Sequence, residues 1–158
     1  MIRPITYIRL KNIALFYLER YDASCSKLTA VLHRHIQKAK IQGLSIPPET
    51  DKWIKQIIQE CQNLGFLNDI RYTENQVRIL SEQGKSSRFI TQKMKLAGIN
   101  DDLIQSALSE QNDLIRAQIF VRKKRLGFNP QKDLAKLARA GFSYEIAKQV
   151  LHMEDVDV

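Results

Sequence analysis

The chain has 158 residues, 44% of them hydrophobic and 27% charged, and its formal net charge at pH 7 is +8. This hydrophobic content excludes a wholly disordered chain, and a domain of this length can bury a core without disulfides or metals. The apolar runs, such as residues 13–18, are far shorter than the roughly 20 residues that cross a bilayer, and charge interrupts the N-terminus too early for a secretory leader. We therefore expect a cytoplasmic protein that does not span a membrane.

Along the chain the apolar residues recur with the period of helices, and strand-like alternation is almost absent. Glycines follow the apolar stripes, where a residue with positive φ ends a helix, and N-cap residues precede the next stripe. The caps predicted in this way are Ser24, Asn68, Ser86 or Ser87, Asn100, Asn129 and Ser143. The pattern predicts an all-α protein with helices at about 9–20, 24–42, 49–64, 69–82, 87–97, 101–110, 114–126, 130–140 and 144–153.

The helices are related to one another by an internal repeat. Residues 94–108 align without a gap with residues 137–151, and the apolar pairs of the helix at 49–64 fit the same frame. The chain is therefore predicted to be three tandem three-helix units, at 9–64, 69–110 and 114–153. Because units of this kind pack mainly against their neighbours, we expect an elongated, curved array. Such bodies offer long concave surfaces and few deep pockets, which favours binding over catalysis.

Cysteine and histidine residues do not form a metal pattern. Cys25 and Cys61 are expected to be free thiols in or near a core, because disulfides rarely persist in the cytoplasm. His33 and His35 have no zinc-ligand spacing with either cysteine. His35 falls in an apolar stripe, so we predict a histidine of the core or of an interface, and no metal site.

Catalytic signatures are also missing from the sequence. There is no glycine-rich phosphate loop and no nucleophile with a recognisable partner. Asp101 and Asp102 open a predicted helix, where carboxylates interact well with the helix dipole, and a second acidic pair lies in the tail at 154–158. We therefore expect a protein that is not an enzyme and needs no cofactor.

Basic residues cluster in three runs, each of which includes the second helix of its unit. The run at 114–140 holds eight Lys and Arg against one acid, Asp133, and the runs at 85–95 and 27–40 hold four each without an acid. A solvated helix face would explain any single run. Three runs at equivalent repeat positions favour a shared anionic partner. The turn at 96–99 has the length of a helix-turn-helix connection, but its flanking residues are ordinary caps and do not indicate base readout.

Three segments in order along the chain resemble the RecX family, regulators of the RecA recombinase. Residues 14–28 are similar to the family's first unit, in which Ser caps the second helix. Residues 64–72 resemble its most recognisable stretch, a Gly-aromatic-aliphatic-Asp-Asp motif, present here as Gly65-Phe66-Leu67-Asn68-Asp69. Residues 137–146, with Gly141-Phe142-Ser143, resemble its closing motif.

The resemblance implies a three-helix repeat array that docks along the groove of a RecA–DNA filament. It implies inhibition of strand exchange, ATP hydrolysis and repressor cleavage, and hence restraint of recombination and the SOS response, without a cofactor. Some members of the family also bind DNA directly, and we expect a monomer. On this hypothesis the second and third units supply a basic face formed by Arg88, Lys93, Arg122, Lys123, Lys124, Arg125, Lys132 and Arg139.

Two other functions stay open on the sequence. One is sequence-independent DNA binding without a recombinase partner, and the other is a helical scaffold for an unrelated acidic protein. The large side chains of the resembling segments are expected to hold the units together, although an exposed Tyr among them could serve the partner interface. These are Phe66, Leu67, Tyr72, Phe142 and Tyr144.

Overall fold

The computed structural model describes residues 3–109 and 112–152, and this part of the chain forms nine α-helices and no strand. The prediction of an all-α protein is confirmed. The predicted acidic tail at 154–158 and the predicted unit ends at 110 and 153 lie outside the described residues. The helices are α1 Tyr7–Arg20, α2 Cys25–Ile41, α3 Thr50–Asn63, α4 Asp69–Glu82, α5 Ser87–Leu96, α6 Asp101–Leu108, α7 Asp113–Lys124, α8 Pro130–Arg139 and α9 Tyr144–Val150.

The helix starts follow from local side-chain chemistry. Each predicted cap accepts a hydrogen bond from a backbone N–H three residues later, and Ser86 rather than Ser87 is the cap of α5. Two caps were not predicted. Thr6 starts α1 two residues before the expected position, and Asn112 starts α7. In both cases the cap satisfies a backbone donor that the helix itself leaves unpaired.

Two compact units divide the described chain, the first ending at Tyr72 and the second beginning at Thr73. The boundary therefore falls inside α4. In the first unit, α1, α2 and α3 enclose a core that includes Leu10, Leu28 and Ile57. Neither cysteine forms a disulfide: Cys61 is buried in this core and Cys25 is half-buried, as the sequence predicted.

In the second unit, a core cluster joins α7, α8 and α9 around Ala117, Leu137 and Phe142. The turn between α4 and α5 packs against the backbone of α7. Gly84 at this turn has a φ of 77°, and a Cβ at this position would lie 2.7 Å from the backbone nitrogen of Phe120. Only glycine suits this position, because it has both a left-handed backbone and no room for a side chain.

One hydrogen bond recurs in the two units. The first residue of α2, Cys25, donates its backbone N–H to Asp69 Oδ1 at 2.8 Å. The first residue of α5, Ser87, donates its backbone N–H to Asp113 Oδ1, also at 2.8 Å. Each acceptor is itself the first residue of a later helix, α4 or α7. An aspartate at the start of one helix thus completes the N-terminus of an earlier one, where the helix dipole favours a carboxylate.

The expectations for single side chains are confirmed in part. Leu67, Tyr72 and Phe142 are buried, as packing residues should be. Phe66 and Tyr144 are 51% and 61% exposed, so a packing role is wrong for these two. Tyr144 is left with the alternative of an exposed Tyr at the partner interface, which stays a prediction. An aromatic residue beside a turn can face either the core or water, and the local sequence pattern does not distinguish the two.

Candidate nucleic-acid interface

All eight side chains of the predicted basic face are exposed. Within the described residues, none of the eight lies within ion-pairing distance of a carboxylate. Exposed cations without acidic partners keep their full charge available for an anionic ligand. The eight side chains are therefore accessible to an anionic ligand, and their role as one binding face stays a prediction.

The start of α5, which carries Arg88, packs against the end of α8, which carries Arg139. Ser86 Oγ donates a hydrogen bond to the carbonyl oxygen of Ala140 at 2.9 Å, which joins the start of α5 to the end of α8. Arg88 Cβ lies 3.5 Å from the position that a Cβ on Gly141 would occupy. Arg88 and Arg139 thus belong to two helix ends that pack together. Lys93 lies five residues further along α5, which corresponds to a rise of about 7.5 Å along the helix.

Four of the eight cations lie at the end of α7. Arg122, Lys123 and Lys124 occupy its last turn, where cations interact favourably with the helix dipole and its unpaired carbonyl groups. Arg125 follows in the left-handed conformation, with φ 54° and ψ 49°. This backbone conformation costs a residue with a Cβ roughly 1–2 kcal/mol, and glycine is the usual choice at such a position.

The turn between α7 and α8 is held by the only acid of its basic run. Asp133 is 4% exposed, and its Oδ2 accepts hydrogen bonds from the backbone N–H groups of Gly127 at 2.7 Å and Asn129 at 3.4 Å. Asn129 in turn caps α8 by accepting from the N–H of Lys132. Asp133 therefore points into the turn and leaves the outer surface to the cations.

One member of the same basic run does not belong to the surface. Arg116 is 1% exposed. Its Nε donates to Ser81 Oγ at 3.0 Å, and its Nη1 donates to Asp113 Oδ1 at 3.2 Å. Ser87 Oγ donates to the other oxygen of the same carboxylate at 2.8 Å. Arg116 is one of the eight basic residues in the run at 114–140, but it adds no charge to the surface. It is a buried structural residue that links α4, α5 and α7.

Phe128 was missed in the sequence, although it lies in the middle of this turn. Its side chain is 93% exposed, more than any other aromatic residue of the described chain. The sequence does contain a signal for it, because Phe128 stands in a Gly-Phe-Asn-Pro turn between two groups of basic residues. An aromatic residue in such a turn belongs to no apolar helical stripe, so the helical pattern does not place it in a core.

The first unit carries a second surface feature, an open groove of about 870 Å³ along α1. Exposed apolar side chains and arginines line it, among them Ile8, Phe16, Arg9 and Arg20. His35 lines the same groove and is exposed, so the core alternative predicted for it is wrong, and a place at an interface stays a prediction. Partial burial, followed by the charges of Lys38, Arg9 and Arg34, lowers the pKa of His35.

The described residues carry neither a metal-ligand cluster nor a membrane-spanning helix. No three His, Cys, Asp or Glu side chains are grouped closely enough to hold a metal ion. No helix is long and apolar enough to cross a membrane.

Comparison with known proteins identifies the family. A family model described as RecX, second three-helix domain, matches residues 68–108, which contain α4, α5 and α6. A protein of Myxococcus xanthus named regulatory protein RecX is 35% identical to this chain, over 94% of the chain and 87% of the relative. The chain belongs to the RecX family. A regulatory protein RecX of Agrobacterium fabrum is 31% identical, over 90% of the chain and 82% of the relative.

A solved structure agrees with the helical fold. The crystal structure of RecX from Lactobacillus salivarius superposes on this RecX-family chain with a TM-score of 0.68. It covers 96% of this chain and 97% of its own, at 21% sequence identity. The resemblance drawn from the sequence motifs is thus confirmed, and with it the assignment to a family of regulatory proteins.

Proposed function

We propose that this protein is a non-enzymatic regulator that binds RecA–DNA filaments. In doing so it inhibits strand exchange, ATP hydrolysis and repressor cleavage, and so modulates DNA repair and the SOS response. The observation that carries the proposal is membership of the RecX family along 94% of the chain. The exposed, unpaired cations of the second unit support it, because a RecA–DNA filament presents DNA phosphates to any protein in its groove.

The physical basis of the contact is electrostatic. Lys and Arg contacts to phosphate fix position and carry no sequence information directly, so the DNA component should be independent of sequence. Each phosphate neutralised releases condensed counterions, so binding should weaken steeply with salt. The basic face is proposed as this contact, with Arg122, Lys123 and Lys124 on α7 and Arg88 and Arg139 on α5 and α8.

The test is RecA-dependent ATP hydrolysis on single-stranded DNA, with the purified protein added up to an equimolar amount. We expect inhibition, together with a change in filament length seen by electron microscopy. The variant Lys123→Ala/Lys124→Ala should inhibit less and reduce the salt slope of DNA binding by about two. The matched control is Lys52→Ala/Lys55→Ala, which removes two exposed cations from α3 and should inhibit like the unmodified protein. If the unmodified protein changes neither ATP hydrolysis nor filament length, the proposal fails.

A second candidate function is sequence-independent DNA binding without a recombinase partner. The specific observation that favours it is the turn between α7 and α8, where exposed cations flank an exposed aromatic side chain in sequence. A gel-shift titration without RecA distinguishes the two functions. Tight binding to bare DNA combined with no effect on RecA would favour this candidate.

A further inference from the structure

We infer that the α7–α8 turn is a binding site for single-stranded nucleic acid, in which Phe128 stacks against a base and the neighbouring cations hold the phosphates. The inference deepens the proposed function, since it locates a DNA contact on the protein. It rests on the exposure of one aromatic ring, on the fixed backbone around it and on the charges that flank it.

The exposure of Phe128 is not explained by the fold. Its side chain is 93% exposed, so almost none of its apolar surface is removed from water. Four other rings, those of Phe16, Tyr72, Phe89 and Tyr144, have a Lys or Arg of the same chain over one face. In the described part of the chain, no ring or cation contacts Phe128, and both faces of its ring are open to a ligand.

The backbone around Phe128 is held in place. The residues on either side, Gly127 and Asn129, both donate their N–H groups to the buried carboxylate of Asp133. Pro130 follows as the first residue of α8, which fixes φ at the start of that helix. A side chain presented from an ordered turn loses less conformational entropy on binding than one on a mobile loop.

Charge around the turn selects the kind of ligand. Arg122, Lys123, Lys124 and Arg125 precede Phe128, and Lys132 follows it, all exposed. Arg125 is three residues away, so its Cα lies at most about 10 Å from that of Phe128. An aromatic platform within a group of cations is typical of proteins that bind single strands, because every base has a face for stacking and every linkage has a negative charge. Paired bases inside a duplex are already stacked, so the site should prefer single strands.

The test is fluorescence anisotropy of a labelled oligo(dT) titrated with the full chain, without RecA. Phe128→Ala should weaken binding about 5- to 150-fold, the range measured for the loss of one base–aromatic stack. Phe66→Ala, which removes another exposed ring, is the control and should bind like the unmodified protein. Thermal melting of both variants should be unchanged, because neither ring is buried.

A second variant gives a direct optical signal. Phe128→Trp keeps the stacking face, so it should bind oligo(dT) with affinity near that of the unmodified protein. Stacking on thymine should quench the added indole fluorescence, measured against the native protein with its single Trp53, and a duplex should quench it less. Unchanged affinity of Phe128→Ala, or an unquenched indole in saturated complex, would overturn the inference.

The outcomes separate this inference from the proposed function. If Phe128→Ala binds oligo(dT) normally but no longer inhibits RecA, the ring anchors in a protein surface, and the inference is wrong while the proposed function stands. If Phe128→Ala loses DNA affinity but the unmodified protein does not inhibit RecA, the proposed function fails and the inference stands.

Discussion

Replacement of Asp113 by Ala is expected to destabilise the protein more than replacement of its ionic partner Arg116 by Met. The two side chains form one ion pair, but their surroundings differ. The Arg116 side chain is 2% exposed and that of Asp113 is 19% exposed. Asp113 also accepts two hydrogen bonds from Ser87, whereas Arg116 Nη2 is buried without a hydrogen-bond partner in the described structure.

The magnitudes follow from what each change leaves behind. Asp113→Ala leaves a buried guanidinium with two nitrogens unpaired, and breaking a buried pair in this way costs about 3–5 kcal/mol. Arg116→Met leaves a carboxylate that keeps its two Ser87 hydrogen bonds and partial contact with water. It also removes the unpaired Nη2, so its cost should be about 2 kcal/mol, the value of the two net hydrogen bonds that are lost, to Ser81 and to Asp113. The double variant should be more stable than Asp113→Ala alone, because it no longer contains an unpaired buried charge.

The assay is urea denaturation followed by circular dichroism at a helical wavelength. With an m value of about 1–3 kcal/mol/M, a loss of about 4 kcal/mol lowers the midpoint by about 1–4 M. Asp102→Ala, which removes an exposed acid from the first turn of α6, is the matched control and should cost at most about 1 kcal/mol. Equal losses for Asp113→Ala and Arg116→Met, or a double variant less stable than Asp113→Ala, would refute the reasoning.

Three further predictions concern backbone strain, thiol reactivity and pH. Arg125→Gly should raise the urea midpoint relative to Arg125→Ala, because glycine adopts the left-handed backbone conformation without the cost of about 1 kcal/mol that a Cβ imposes. Both variants lack the Arg125 charge, so they should bind oligo(dT) equally weakly. Burial, followed by the charge of Asp69, raises the pKa of the Cys25 thiol to about 11, so on the order of 0.1% is thiolate at pH 8. Asp69→Asn should therefore speed alkylation of Cys25 by iodoacetamide, and an unchanged rate contradicts this electrostatic effect. The pKa of His35 is lowered in the folded protein from its ordinary value of 6.5, so the unfolded chain binds more protons as pH falls through that range. The free energy of unfolding should therefore decrease as the pH falls. His35→Gln should lessen the fall in urea midpoint between pH 7.5 and 5.5, and an identical fall in both proteins would exclude His35 as its source.

The helices and most of their caps could be predicted because both depend on neighbours in sequence. A stripe of apolar residues needs only helical spacing, and a cap needs only a short polar side chain three residues before a free N–H. The six glycines that end the stripes all have positive φ, as predicted. Exposure of the basic face was also predictable, since unpaired Lys and Arg are seldom buried.

What could not be predicted depends on partners distant in sequence. Arg116 donates to Ser81, which lies 35 residues earlier in the chain, and a count of charges treats it like its exposed neighbours. His35 fits an apolar stripe by spacing, yet its side chain is exposed and lines an open groove. Phe128 carries no periodic pattern at all. Three units of three helices stay a prediction of the sequence repeat.

The recurring aspartate hydrogen bond has a consequence for how this chain should be divided. Asp69 completes the start of α2, and the first compact unit extends to Tyr72, whose ring lies 5.6 Å from Lys27 Nζ on the same helix. The first compact unit therefore includes the first turn of α4, which the sequence repeat assigns to the second unit. A fragment or a chimaera joined at the repeat boundary would remove the carboxylate that belongs to the preceding helices. A joint placed one turn into α4 would keep the first unit with the acid that completes α2.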